Sequence, residues 1–206
     1  MKVSVDEFNT LVREDLYRYG NGLGLKAFLR TWRYEPGFRL TYLMRLCRLL
    51  RSRTLTRVGA YHLVAILHRL TSVRYGVYVD HTTKIGGGFY LAHPLNIVVN
   101  RRCEIGRNCN LSHGVTLGIA NRGARRGVPV LGDNVYVGPG AVVFGAIEVG
   151  DECAIGANSV ITKDIPDGGV MVGVPGKILS MEGSTGYINS VLPTDDVEEP
   201  NKKDPR

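Results

Sequence analysis

From about residue 77 onward, aliphatic residues recur every six positions along the chain. Val79, Ile85 and Leu91 open successive hexads; the phase then slips by two and resumes at Val99, Ile105, Leu111 and Leu117. After an interruption it returns at Leu131, Val137, Val143, Val149, Ile155 and Ile161. Glycine often follows the aliphatic residue, as at Gly86, Gly106, Gly118, Gly132, Gly138, Gly150 and Gly156. This period predicts a parallel β-helix in which each hexad is a short strand plus a turn and the aliphatic side chain fills a narrow core. Thirteen hexads at three per coil make a little over four coils, each burying its face on the next. A Gly-rich sandwich would not keep phase from Leu131 through Ile161.

The N-terminal third follows a helical period instead. Residues 36–52 place Phe38, Leu40, Leu43, Met44, Cys47 and Leu50 around a helix, with Pro36 at its start. Residues 57–70 form a second helix, with Gly59 near its beginning, and an earlier one runs from about Val5 to Tyr19. The expected organisation is a helical segment over 1–75, a β-helix domain over 76–181 with a loop at 118–130, and a mobile tail over 182–206. The tail loses the period and gains proline and charge.

Composition sharpens this division. The 206 residues contain 26 glycines, well above the roughly 7% of ordinary proteins, and the repeat accounts for the excess. The net charge of +7 is unevenly spread. Residues 1–75 carry 14 Lys and Arg against 5 Asp and Glu, while residues 76–206 carry 12 against 14. Arg39, Arg45, Arg48 and Arg51 are expected on the surface of the 36–52 helix, facing solvent, another subunit or an anionic membrane. No aromatic–basic platform or groove-reading motif accompanies them, so nucleic acid is not an expected partner. The four cysteines lack metal-ligand spacing and read as buried free thiols of a reducing compartment, with no metal called for. Met1 to Arg13 is polar and has no apolar signal core, and Val58 to Leu67 is about half a membrane span. The expected location is cytoplasmic, at most resting on the inner face of the membrane.

Two histidines fall at informative places. His93 is third in the hexad opened by Leu91, and His113 is third in the hexad opened by Leu111. Those hexads are one coil apart, so the imidazoles are expected to stack at about 4.8 Å. Protonating one would then disfavour protonating the other and keep a neutral base available near pH 7. His62, His68 and His81 are read as structural. The interruption GIANRGARRGVPV must leave the solenoid as a loop. It carries Arg122, Arg125 and Arg126, which suit a phosphate or other anion; packing on a neighbouring subunit is the alternative.

The runs GVYVDHTTKIGGGFYLAHPLNIVVN, IGRNCNLSHGVTLG and VPVLGDNVYVGPGAVVFGAIEVGDECAIGANSVITKDIP, closed by GVPGK, resemble the hexapeptide-repeat acyltransferases of the serine acetyltransferase type. The resemblance covers roughly residues 75–180. It implies a mainly β fold, a left-handed parallel β-helix with an N-terminal α-helical segment. It also implies a homotrimer, which pairing through the N-terminal helices would make a dimer of trimers, with acetyl-CoA in a groove between subunits. His93 takes the place of the family's catalytic histidine and would act as general base, with His113 beside it. The backbone at Gly138-Pro139 and Gly156-Ala157 would line the pantetheine arm. Lys177, Arg125 or Arg126 would meet the CoA phosphates, and a backbone N–H near Gly118 would hold the oxyanion.

The chain also departs from that family. The acidic partner of the histidine falls on Tyr78, the acidic residue preceding it on Ala92, and an Arg-His pair on Gly127 and Val128. A zwitterionic amino acid needs paired charges, and GFYLAHPLNIVVN with SHGVTLG resembles the acetyltransferases of exopolysaccharide and colanic-acid pathways. The expected acceptor is therefore a saccharide hydroxyl, with serine as the alternative and a non-catalytic scaffold as a remote one.

Overall fold

The computed structural model describes residues 3–20, 22–51 and 59–193. Four helices precede the solenoid: α1 (Val5–Gly20), α2 (Leu25–Tyr34), α3 (Pro36–Arg51) and α4 (Ala60–Tyr75). Pro36 opens α3, where its missing N–H costs nothing. Gly76, at φ +63°, ends α4 and turns the chain into the first strand. The helix α2 was not legible in the sequence. It follows a glycine-rich stretch, and its apolar residues find partners only in three dimensions. Phe28 and Trp32 pack edge-on against Tyr42 of α3 at 5.3 and 5.5 Å.

The remaining chain winds into a left-handed parallel β-helix of three faces. One face stacks β1 (Tyr78–Val79), β4 (Val98–Val99), β7 (Thr116–Gly118), β10 (Val142–Phe144) and β13 (Val160–Ile161). The second stacks β2 (Lys84–Ile85), β5 (Glu104–Ile105), β8 (Val130–Leu131) and β11 (Glu148–Val149). The third stacks β3 (Tyr90–Leu91), β6 (Asn110–Leu111), β9 (Tyr136–Val137), β12 (Ala154–Ile155) and β14 (Val170–Val172). There β15 (Lys177–Ser180) folds back antiparallel on β14, and the GVPGK motif forms the turn.

Every aliphatic residue that opens a hexad is buried. A second buried row lies two positions earlier, through Val77, Phe89, Ile97, Cys103, Cys109, Val115, Val135, Ala141, Ile147 and Cys153. The four cysteines are buried and unbridged, as expected. Burial pushes the thiols of Cys47 and Cys103 up to about 11 and that of Cys109 to about 12, which keeps them protonated and inert.

A solenoid must cover its open end, and here the helices do so. Asp15 accepts the N–H of Phe89 at 2.9 Å, and the Tyr19 hydroxyl accepts the N–H of Leu91 at 3.0 Å. Arg45 donates to the carbonyls of Ile85, at 2.6 Å, and Gly86. This corrects the expectation of a surface arginine: Arg45 is 1% exposed and paired with Asp15 at 3.1 Å. Arg39 donates to the Tyr75 hydroxyl at 3.0 Å. The basic N-terminal third thus spends part of its charge on holding the first coil. Among the described residues, no helix is long and apolar enough to cross a membrane.

The expectation of a mobile tail is also corrected for residues 182–193. Tyr187 stacks on Tyr136 with centroids 4.4 Å apart. Ser184 donates to the carbonyl of Asn134 at 2.6 Å, and Asn110 donates to that of Tyr187 at 2.9 Å. Arg18 of α1, buried, reaches both Asn110 and the carbonyl of Asn189. The strap is held because the outer face of β6 and β9 offers an amide and a phenol, not aliphatic residues. Residues 194–206 lie outside the described residues.

Candidate active site

The register of the third face arranges most of the predicted residues along one corner. Leu91 pairs with Leu111, Leu111 with Val137, Val137 with Ile155, and Ile155 with Met171. The residues leaving those strands therefore stack as Ala92-His93, Ser112-His113, Gly138-Pro139, Gly156-Ala157 and Val172-Gly173. Successive coils rise about 4.8 Å, so Ala157 lies three coils, roughly 14 Å, from His93. Both histidines are exposed.

Glycine is required on this corner. A Cβ at Gly138 would lie 2.8 Å from the carbonyl oxygen of Ile155, and one at Gly156 would lie 2.7 Å from Val172. These two positions of the corner above His93 are thereby left as bare backbone.

The register expected for the two histidines holds on the strand side of the corner only. On the coils above, the N–H of Gly140 donates to His113 and that of Asn158 donates to Pro139. On the first coil the N–H of Gly114 donates to Leu95, not to His93. The two-residue phase slip is the cause. It lengthens this corner so that His93 stands on a bulge, at φ +49°, with its own carbonyl accepting from Leu95 at 2.7 Å. A non-glycine residue held in the left-handed region carries strain of about 1–3 kcal/mol.

The loop residues sit elsewhere. Gly118 ends β7 beside Phe144, five residues after His113 and across the first face from it. The bridge between Ala120 and Gly127 closes the loop, and Arg125 forks onto Asp164 at 2.7 and 2.9 Å. That fork holds the Arg125 guanidinium above its ordinary pKa and the Asp164 carboxyl below its own. Arg122 and Arg126 stay exposed, as does Lys177 at the start of β15. Within one chain, then, His93, His113, Gly138, Pro139, Gly156 and Ala157 come together, while Gly118, Arg125 and Arg126 form a second group.

The histidines read as structural form their own cluster between α4 and β1. The Tyr61 hydroxyl lies 3.0 Å from Nε2 of His81, and the rings of His68 and His81 are 6.4 Å apart. Burial, with His81 nearby, lowers His68 to about 4.

Sequence reading missed Asp15 and Tyr19, which hold the strand leading to His93, and Arg45, which holds the end of β2. Two adjacent acids, Glu14 and Asp15, in an otherwise basic third were the available signal. Both are buried, and Glu14 meets Arg107 at 2.7 Å. Burial raises the Glu14 carboxyl, and Arg107 counters part of that rise.

A three-faced solenoid of hexads with an exposed, strained histidine at the foot of a glycine-lined corner defines a hexapeptide-repeat transferase. Residues 129–163 match the family described as bacterial transferase hexapeptide, six repeats. A serine acetyltransferase of Helicobacter pylori (strain J99) is 35% identical over 147 residues, covering 71% of this chain and 83% of that protein. One of Bacillus pumilus is 34% identical over 140 residues, covering 68% of this chain and 64%, under two thirds, of that protein. Among solved structures, the Neisseria gonorrhoeae serine acetyltransferase in complex with serine superposes with a TM-score of 0.69 at 29% identity, over 86% of this chain and 71% of that one. The Brucella abortus enzyme in complex with coenzyme A gives 0.69 at 26%, over 85% and 69%. The chain belongs to the serine acetyltransferase family. This overturns the expected exopolysaccharide branch and its saccharide acceptor, since the relatives and solved structures named above are serine acetyltransferases. The expectation rested on side chains missing from the coil at positions 78, 92, 127 and 128.

Proposed function

We propose that the chain transfers acetyl from acetyl-CoA to the hydroxyl of L-serine. The observation that carries this reading is the 35% identity spread over 83% of the Helicobacter pylori serine acetyltransferase. The corner geometry supports it, since it sets His93 on the same corner as Gly138 and Gly156.

His93 takes the proton from the serine hydroxyl as the oxygen attacks the thioester carbonyl. The tetrahedral intermediate collapses by breaking the C–S bond, and the imidazolium returns the proton to the departing CoA sulfur. Such a base contributes about 10²–10⁴-fold. No acyl-enzyme is needed, because one groove holds donor and acceptor together. Gly138-Pro139 and Gly156-Ala157 line the pantetheine arm, and Lys177 and Arg126 face the CoA phosphates. Gly118 lies across a face from His93 of its own chain and its N–H is spent in the β7–β10 ladder, so the oxyanion falls to another backbone N–H of a neighbouring subunit in a homotrimer.

The test is thiol release from acetyl-CoA in the presence of L-serine. Saturable turnover is expected, and His93→Ala lowers kcat/KM by about 10²–10⁴-fold. No turnover with L-serine, or a His93→Ala variant of full activity, overturns the reading.

A further inference from the structure

We propose that the outer side of α4 rests on an anionic lipid surface, its aliphatic stripe entering the headgroup boundary and its arginines meeting the lipid phosphates. This attachment is separate from the acetyl transfer and uses no residue of the catalytic corner.

Helix α4 is apolar on two opposite sides, and the fold covers one of them. Tyr61, Val64, Ala65, His68, Ser72 and Tyr75 recur at helical spacing and are buried or half-buried against α3 and β1. Half a turn away, Leu63, Ile66, Leu67, Leu70 and Val73 keep the same spacing and are 44–72% exposed. They run along about 15 Å of helix. A helix that is hydrophobic all round is ordinarily buried all round. A contiguous exposed stripe of this kind marks a protein or membrane contact.

The surrounding charge chooses between those two. Between Glu35 and Asp80 the chain carries eight arginines and no acidic residue. On α4 itself His62 and Arg69 flank one edge of the stripe and Arg74 lies at its C-terminal end, all exposed. Among the described residues, the side chains of Arg69 and Arg74 have no ion-pair partner. A second copy packed here about a two-fold axis would set these cations against their own counterparts, with no carboxylate to answer them. Anionic headgroups supply the missing charge, and aliphatic and basic strips side by side on one helix suit the plane of a lipid interface. The 16 residues of α4 span about 24 Å. No described helix is long and apolar enough to cross a bilayer, so the contact lies along the surface.

The stripe is held rigidly outward. The N–H of Val77 donates to the Ser72 carbonyl at 2.9 Å, and that of Asn96 donates to the Tyr75 carbonyl at 3.2 Å. Arg39 of α3 donates to the Tyr75 hydroxyl at 3.0 Å. The C-terminal end of α4 is thereby tied to the first coil, and Asn96 is three residues past His93. A surface bound through α4 thus holds the catalytic corner close by.

Flotation of the full chain with vesicles tests this. Vesicles of equal parts phosphatidylcholine and phosphatidylglycerol should carry the protein, and vesicles of phosphatidylcholine alone should carry about tenfold less. Raising the salt from about 0.1 M to about 0.5 M should weaken the anionic binding severalfold. Ile66→Gln with Leu70→Gln should lower the partition coefficient at least about tenfold, by loss of two inserted aliphatic side chains. Arg69→Gln with Arg74→Gln should lower it about tenfold, by loss of two cations near the surface. Both double variants should keep their unfolding midpoint in urea, since all four side chains are exposed. No flotation with the anionic vesicles, or equal flotation of the unaltered protein and both variants, overturns the proposal. A smaller sedimenting mass for the Ile66→Gln, Leu70→Gln variant also overturns it and assigns the stripe to a second copy.

Discussion

Arg45 and Asp15 form an ion pair at 3.1 Å, both side chains 1% exposed, and together they close the open edge of the first coil. Asp15 takes the Phe89 N–H, and Arg45 takes the carbonyls of Ile85 and Gly86. Helix and coil are thereby joined through groups that neither could satisfy alone.

Removing one partner leaves a buried, unpaired charge, at a cost of about 3–5 kcal/mol. Arg45→Met should therefore lower the unfolding free energy by that amount in urea titration. A loss below about 1 kcal/mol, the level of a surface pair, would show that the pair does not hold the edge. The double variant Arg45→Met, Asp15→Leu should recover part of the loss, because no lone charge remains.

His68 sets an acid limit on stability. Burial, and after it His81, lowers its pKa from the ordinary 6.5 to about 4. The unfolded chain takes up this proton near pH 6.5, the folded chain only near 4. The stabilisation is complete above pH 6.5 and declines as pH falls toward 4, by up to about 3 kcal/mol. His68→Gln should flatten the pH dependence of unfolding in that window, and an unchanged slope would remove His68 as its source.

Glycine at 138 serves both the coil and the groove. With Gly138→Ala the new Cβ meets the Ile155 carbonyl at 2.8 Å, and backbone cannot yield as a side chain would. A stability loss of about 1–3 kcal/mol is expected, together with a higher KM for acetyl-CoA. A normal KM in the folded variant would place the pantetheine arm elsewhere.

His113 should matter less than His93. The carbonyl in ladder register beneath it belongs to Leu95, so the two histidines do not share one continuous column. His113→Ala is expected to retain at least about a tenth of kcat/KM, against the loss of about 10²–10⁴-fold for His93→Ala. Equal losses would show that the pair acts as a unit.

Tyr187 pins the C-terminal strap to the third face. Its stack on Tyr136 adds about 0.5–1.5 kcal/mol beyond area burial. Tyr187→Ala should speed proteolytic cleavage within residues 182–193 while the coil resists; an unaltered digestion rate would mean that Arg18 and Ser184 suffice.

The repeat was legible because a β-helix imposes one rule on every coil. An aliphatic residue must point inward every sixth position, so Val79 through Ile161 could be placed on the core before any coordinates existed. The place of His93 followed from counting that period, and the Gly138–Ala157 corner from the family resemblance. Two matters needed the tertiary structure, and each depends on groups far apart in sequence. The phase slip showed as two extra residues, but only the ladder, with Gly114 bonded to Leu95, revealed that His93 stands on a bulge. Arginine 45 lay among basic neighbours on a helix of ordinary amphipathic pattern, and only Asp15, thirty residues earlier, and the bare edge of β2 made it a buried clamp. Period determines which side chains enter a solenoid core; which polar groups meet at its ends depends on helices whose mutual packing no local pattern encodes.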